Sequence, residues 1–411
     1  MPKGNTVVGL DLGTTKIACI IAEIGENDEL KVVGVGTSPS EGLRRGVVVN
    51  LEKTVQSIEK AVAEAELMAG VKIDSVYAGI AGDHVRSINS KGVIAVSRTG
   101  NEITKSDIDR VTEQARAVAI PMDREIIHVI PQSFIVDDQP GIKDPIGMSG
   151  VRLEAEVHIV TGAVTSAQNI YKSIERTGLK VRDLALQPLA SSYAVLNADE
   201  RELGVALLDI GGGTMDIALF FEGSIRHTGV IGLGGNNVTN DVAIGLRTPT
   251  AQAEDIKKKY GCAMTSLVKG DETIKVPGVG GREEREVSRQ VLAAIIEPRM
   301  EEIFSLALRE IKRTDFADLL AAGIVLTGGT AKMPGMAELA EQVFNLPVKV
   351  GIPYGVSGLV DSVKDPIHAT GVGLVLYGKE NLDKEGLQGA TEANLFEKIV
   401  RKMRSWFGDF F

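Results

Sequence analysis

Two short stretches carry the residue types needed to hold a phosphate chain and a metal ion. Val7–Glu23 reads VVGLDLGTTKIACIIAE, and Val205–Gly223 reads VALLDIGGGTMDIALFFEG. In each, an apolar, β-rich run ends in Asp-Leu/Ile-Gly, passes a Gly/Thr turn and re-enters an apolar run. The pattern predicts strand, tight turn and antiparallel strand. Gly13, Gly211, Gly212 and Gly213 let backbone N–H groups approach an anion closely. The hydroxyls of Thr14, Thr15 and Thr214 add donors, and Lys16 offers a compact positive charge suited to a β- or γ-phosphate. Asp11 and Asp209 stand at strand ends, where a carboxylate can hold Mg2+, usually through water. One copy alone would read equally well as an ordinary glycine-turn hairpin. Two copies, each with an Asp before the glycines, favour the binding reading, and their separation of about half the chain predicts two similar domains.

A third glycine turn lies in AGIVLTGGTAKMPGMAELAEQVF, Ala322–Phe344. The strand IVLT leads into Gly328 and Gly329, and Pro334 stands just before a helix expected from Met336. Paired glycines there would let a flat purine and its ribose lie against the backbone. No GxxxxGK followed by Ser or Thr occurs anywhere, and no GxGxxG opens a helix after a strand. A P-loop and a Rossmann fold are therefore both disfavoured.

Composition narrows the remaining classes. The chain has 411 residues and a net charge of −10, which argues against a general nucleic-acid binder. Its five histidines show no metal-ligand spacing, so no zinc site is expected. The N-terminus enters a strand-like pattern without the apolar core of a leader. Cys19 and Cys262 read as reduced thiols in a cytoplasm.

The last residues depart from this character. In FEKIVRKMRSWFGDFF, Phe396–Phe411, the apolar positions include Phe396, Ile399, Met403, Trp406, Phe407 and Phe410. Their alternating steps predict one helical face, with Lys398, Arg401, Lys402 and Arg404 on or beside the other. Residues 394–411 thus read as an amphipathic helix lying in a membrane interface. Four basic residues near an anionic leaflet would contribute about 1 kcal/mol each. The competing reading is a helix docked on the protein's own body. Residues 379–393, polar and glycine-punctuated, read as a flexible linker.

The three glycine turns together resemble those of the actin-like ATPase superfamily. The resemblance implies an α/β fold of two ribonuclease-H-type domains around a nucleotide cleft that holds ATP and Mg2+. It makes the two hairpins the phosphate loops, and it makes GIVLTGGTAKMPG, with Gly328, Gly329, Thr330 and Met333, the adenosine motif. LQPLASSYAVL (Leu186–Leu196) and HATGVGLVLYG (His368–Gly378) are similar to its two connecting helices. Gln187 falls where the superfamily orients the attacking water, and Glu254 and Lys257 fall where it contacts ribose and base.

Within that superfamily, IIHVIPQSFIVDDQPGIKDPIGMSGVRLEAEVHIVTG (Ile126–Gly162) resembles the 1C subdomain of the FtsA family of bacterial cell-division proteins. Read without the family, it is a β-rich insertion with strands at 126–136 and 151–161, behind a helix capped by Ser106 or Thr104. The family resemblance implies subdomain 1A over 6–83 and 163–198 and subdomain 1C over 84–162. It further implies subdomain 2A over 199–228 and 306–378, and subdomain 2B over 229–305. It implies a scaffold that polymerises on the cytoplasmic face of the bacterial cell membrane at the division site, with at most slow ATPase activity. Implied partners are other copies of itself, an anionic membrane, other division proteins and the C-terminal peptide of tubulin-like FtsZ. The peptide would sit on subdomain 2B, whose helix is expected over REVSRQVLAAIIEPRMEEIF. Lys257 to Lys259 and Arg289 or Arg299 could bind the peptide's carboxylate or acidic side chains. Arg299 is preferred because it matches the family's peptide-binding helix, although a solvated charged face explains any single one of these residues at least as well. The alternatives are an FtsA-like pilus-assembly ATPase or another ATPase or kinase of the superfamily.

Overall fold

The computed structural model describes residues 6–96 and 101–387. The chain opens with β1 (Thr6–Leu12), β2 (Lys16–Ile24) and β3 (Leu30–Pro39), then the short pair β4 (Leu43–Arg44) and β5 (Val47–Val48). Helix α1 (Leu51–Ala69) and β6 (Ser75–Ile80) follow. The Asn50 side chain caps α1 by accepting from the Lys53 N–H at 3.0 Å, and Gly70 ends it in the left-handed region. An inserted unit comes next: β7 (Arg86–Ala95), α2 (Lys105–Arg116), β8 (Arg124–Val136), β9 (Gln139–Ile142) and β10 (Arg152–Ala163). The chain then returns to the first sheet through α3 (Val164–Glu175), β11 (Lys180–Leu186) and α4 (Gln187–Val195).

The second half begins with α5 (Ala198–Leu203), β12 (Val205–Ile210), β13 (Met215–Phe221) and β14 (Ser224–Ile231). After α6 (Gly235–Gly245) and α7 (Thr250–Tyr260), β15 (Thr273–Val276) pairs with β16 (Arg285–Ser288) ahead of the long α8 (Arg289–Ile311). The chain closes its second sheet with β17 (Ile324–Thr327), α9 (Met336–Phe344) and β18 (Val348–Val350). The two-residue β19 (Ser357–Gly358), α10 (Val360–Val363) and α11 (Ala369–Leu387) follow.

The two large sheets repeat one local plan. Strand order is β11-β6-β1-β2-β3-β19 in the first and β14-β13-β12-β17-β18 in the second. In each, an antiparallel hairpin (β1–β2 or β12–β13) is flanked by a parallel strand, β6 or β17, on its first member. Apart from the aspartates beside their turns, both hairpins are largely apolar where they cross the core, as expected of strands covered on two faces. Between the sheets lie α4 and α11. One buried cluster joins Val7 and Ile20 of the first sheet, Leu207 and Val325 of the second, and Ala190, Ala194, Val372 and Val375 of the two helices. The inserted unit has its own sheet, β7-β10-β8-β9, and its own core around Val111, Phe134 and Leu153.

Of the two caps expected for α2, Thr104 is the one that holds it, in a box with Asp107. Three expectations need correction. The helix expected from Arg285 starts at Arg289, because Arg285–Ser288 hydrogen-bonds across to Thr273–Val276 and Ser288 then caps. Residues 379–387 are helical rather than linker. Lys379, Glu380 and Leu382 are good helix formers, and Lys379 pairs with Asp28 at 2.6 Å. Residues 357–382 pack mainly with the first half, since β19 joins β3 and α11 lies on β1 and α4, while Asp365, Pro366 and Thr370 also reach the second half. The membrane-helix residues Phe396, Ile399, Met403, Trp406, Phe407 and Phe410 lie outside the described residues, as do 388–393.

The crossing of α4 and α11 depends on Gly373, where a Cβ would stand 1.9 Å from the Ala190 carbonyl oxygen. Gly373→Val is expected to cost about 1–3 kcal/mol by overpacking. Urea denaturation measures it; a loss under about 0.5 kcal/mol would contradict the packing described.

Candidate functional site

The site forms where the two hairpin turns face each other. In the first turn the Gly13 N–H donates to the Lys16 carbonyl at 3.0 Å, and in the second the Gly211 N–H donates to that of Thr214 at 2.9 Å. The turns touch: a Cβ on Gly212 would lie 2.3 Å from Thr15 Cγ2, and one on Gly213 would lie 2.7 Å from Thr14 Oγ1. These two glycines are therefore demanded by contact between the halves as well as by any anion.

A cavity of about 710 Å3 opens beside this contact, within the range of small-ligand sites. All the cleft residues singled out in the sequence line it. Asp11, Gly13, Thr14, Thr15, Lys16 and Gln187 come from the first half. Asp209, Gly211, Gly212, Gly213, Thr214, Glu254, Lys257, Gly328, Gly329, Thr330 and Met333 come from the second. Sequence reasoning missed Asp216, Asn236, Lys332, Ile367 and Thr370, which line it too. Asp216 had a signal: an antiparallel hairpin with this turn length places it directly opposite Asp209. Ile367 and Thr370 had none, because only the fold brings the start of α11 to the cleft.

Three carboxylates meet here. Asp11, Asp209 and Asp216 are each buried. Burial pushes the Asp11 carboxyl up to about 6, against the pull of Lys16. It pushes Asp216 up to about 8, with the Asp209 charge adding to the rise. Asp209 is also raised by burial, partly offset by hydroxyls from both crossing helices. Ser191 Oγ of α4 donates to its Oδ2 at 2.6 Å and Thr370 Oγ1 of α11 at 3.2 Å. Asp216 Oδ1 is buried without a hydrogen-bond partner. Such an atom costs stability unless a cation or its water shell serves it. Among the described residues no cluster of three or more His, Cys, Asp or Glu is set to grip a metal directly. The donor set therefore suits a hard cation held through its waters, as Mg2+ commonly is.

The surrounding polar groups are equally ordered. Gln187 Nε2 reaches Asp11 Oδ1 and the Leu12 carbonyl, both at 3.4 Å. Lys16 Nζ donates to the Ile367 carbonyl at 2.8 Å and lies 3.3 Å from His368 Nδ1. Burial lowers the Lys16 ammonium, and burial with the Lys16 charge takes His368 down to about 4. His368 is thus a neutral acceptor at physiological pH. On the far wall Lys257 Nζ pairs with Glu254 at 2.7 Å and donates to the Gly235 carbonyl at 3.0 Å. Thr330 Oγ1 ties the third glycine turn to the second by donating to the Gly211 carbonyl at 3.0 Å.

Comparison with known proteins now bears on this geometry. The chain is 50% identical to the cell division protein FtsA of Pseudomonas aeruginosa, over 98% of this chain and 97% of that one. The chain belongs to the FtsA family. It is 44% identical to the FtsA of Escherichia coli K12, over 97% of this chain and 95% of the other. The family model described as cell division protein FtsA matches residues 206–373, and that of the SHS2 domain inserted in FtsA matches 82–161, the inserted unit. Among solved structures, the PilM–PilN type IV pilus biogenesis complex shares the fold at TM-score 0.65 and 17% identity, covering 91% of this chain and 98% of that one. MreB5 of Spiroplasma citri bound to ADP shares it at TM-score 0.57 and 15% identity, covering 95% and 100%. The fold is the actin-like ATPase fold, and identity of this order separates FtsA from the pilus-assembly alternative.

Arg299 of this FtsA-family chain is not a free cation. Its Nε donates to Asp241 Oδ2 at 2.5 Å, its second terminal nitrogen to Asp241 Oδ1 at 3.1 Å, and it also pairs with Glu302. The sequence missed this because Asp241 sits on α6, across from α8 in space alone.

The raised carboxyls make a pH prediction. The Asp216 carboxyl sits at about 8 when folded against 3.8 for an ordinary one, so from about pH 4 to pH 8 the folded chain holds more protons there than the unfolded chain. Stability should fall as pH rises through that window. In EDTA, Asp216→Asn is expected to raise Tm at pH 8 by at least about 2 °C more than at pH 5. Thermal scans at the two pH values measure it; an equal effect at both would contradict the burial argument.

Proposed function

We propose that this chain is an ATP-binding, actin-like scaffold that assembles on the cytoplasmic face of the cell membrane and holds the FtsZ ring there. One observation carries the nucleotide reading: the glycine turns of both halves meet beside three buried carboxylates, Asp11, Asp209 and Asp216. When bound, Mg2+–ATP supplies the positive charge and phosphate oxygens that these groups lack. Asp11 and Asp209 would hold the water shell of the ion, with Asp216 behind them. Lys16 and the N–H groups of the Gly/Thr turns would bind phosphate oxygens. Glu254 and Lys257 would contact the ribose and base edge, and the Gly328–Met333 turn would face the purine.

Hydrolysis in this reading is slow at most. Gln187, beside Asp11, can orient a water through its carboxamide, yet that group neither accepts nor donates a proton at neutral pH. Ligand contacts from both halves favour a closed cleft, and closure favours assembly. Solved structures of the same fold include MreB5 bound to ADP and a MamK double helical filament, which supports nucleotide-linked assembly by analogy.

Tethering would use α8 and the C-terminal residues. A partner's C-terminal peptide would dock along α8, where Arg299 must exchange Asp241 for a peptide carboxylate or leave binding to its neighbours. Residues 394–411 would lie in the leaflet, and a row of such helices on one filament would bind far more firmly than one.

Asp209→Ala removes the acceptor of both Ser191 and Thr370, and is expected to weaken ATP binding at least about tenfold and to impair assembly with it. Equilibrium titration with a fluorescent ATP analogue and sedimentation test both. Normal affinity and normal polymers would sink the assignment. In liposome flotation, Trp406→Glu should leave the protein at the bottom of the gradient while ATP binding persists. A variant that still floats would remove the tail from the account.

A further inference from the structure

The inserted unit touches both halves of the molecule through buried polar contacts. β14 is the outer strand of the second sheet, so among the described residues one of its edges has no strand partner. Side chains of the insertion take that place. Gln132 Nε2 donates to the Ile225 carbonyl at 2.7 Å, Asn89 Nδ2 to that of Arg226 at 3.2 Å, and Ser87 Oγ to that of Thr228 at 3.0 Å. In return Ser224 Oγ donates to the Gln132 carbonyl at 2.9 Å.

His158 sits at the centre, 1% exposed. Its Nδ1 lies 2.7 Å from Asn89 Oδ1 and its Nε2 lies 3.1 Å from Thr228 Oγ1. Because the Asn89 amide nitrogen is turned to Arg226, its oxygen faces the ring and can only accept. Burial takes His158 down to about 3, so the ring is neutral, with its proton on Nδ1 and with Nε2 accepting from the threonine hydroxyl. Asn89 Oδ1 also accepts from Gln132 Nε2 at 3.4 Å, so the insertion's own groups hold one another in place, while the bonds to Ser224, Ile225, Arg226 and Thr228 would be lost if the insertion shifted relative to β14.

The same unit grips the first half near the cleft. His128 Nε2 accepts from the Leu186 N–H at 2.9 Å, one residue before Gln187 begins α4. The Tyr377 ring of α11 stands edge-on to His128 at 6.1 Å. The insertion thus spans the two crossing helices about which the halves would open.

We propose that the inserted sheet is a strap between the two halves. It is fixed to the start of α4 by His128 and to the free edge of β14 by His158, Asn89, Gln132 and Ser87, and it restrains opening of the cleft. Opening the cleft moves β14 relative to α4, so the seam must either carry the insertion along or break. Each of its side-chain hydrogen bonds has only a modest net worth once water can replace it, so together they restrain opening without forbidding it. Loss of the seam lets the cleft open more often, and bound nucleotide leaves faster. That final step rests on the nucleotide reading above; the strap itself does not.

The test uses the full chain with His158→Leu, and independently with Asn89→Ala and Gln132→Ala combined, should the first fail to fold. Amide exchange over 224–231 is expected to rise at least tenfold, with a rise over 187–195 on the other side of the hinge. Residues 215–221, inside the sheet, should keep their protection. Release of a fluorescent ATP analogue should quicken at least threefold. A rise confined to 224–231, no rise at all, or unchanged release from a chain that binds the analogue would overturn the proposal. Failure of the unaltered chain to bind the analogue would instead remove the nucleotide reading and leave the strap to be decided by exchange over 187–195.

Discussion

The structure depends on three carboxylates that cannot all stay ionised in a buried cleft. Asp11 and Asp216 are pushed up to about 6 and about 8, and Asp209 keeps its place only with hydroxyls from Ser191 and Thr370. A chain selected for stability alone would not gather them, since like charges at low dielectric oppose one another. Their burial makes chemical sense if a cation completes the site. It also bears on the architecture, because one of the three, Asp209, ties the second sheet to both crossing helices. Asp11 meets Gln187, Asp209 meets both crossing helices, and Asp216 pairs across from Asp209.

Much of this could be read without coordinates. The hairpins, the third glycine turn and the β-rich insertion carry local signals: apolar runs, Gly turns and an Asp at each strand end. Local signals fail where space decides. Asp216 needed strand register, and Thr370 and Ile367 needed the return of α11 to the first sheet. Arg299 looked like a docking cation because nothing in its own helix reveals Asp241 on α6. Arg285–Ser288 read as helix because four residues of mixed polarity carry no period of their own, and their pairing with Thr273–Val276 settled the matter. The stretch after Gly378 read as linker from its polarity, although its Lys, Glu and Leu content suits the helix that continues to Leu387.

The helix α11 joins these themes. Its first residues touch the cleft through Thr370, its middle crosses α4 at Gly373, and Tyr377 reaches Asp183 and faces His128 of the insertion. The same helix then leads toward the amphipathic C-terminal sequence. One element thus links the cleft, the crossing of the two helices and the inserted sheet. In the function proposed for this FtsA-family chain, that continuity would offer a physical route by which the state of the cleft could bear on attachment and assembly.

The central claim is that the buried carboxylates exist to receive a magnesium–nucleotide complex. Calorimetric titration of ATP into the intact chain, first with Mg2+ and then with EDTA, tests it most directly. Binding with Mg2+ that weakens at least about tenfold in EDTA, the loss expected for a charge-assisted contact, is the predicted result. Equal affinity with and without the ion, or no binding in either, would contradict the account.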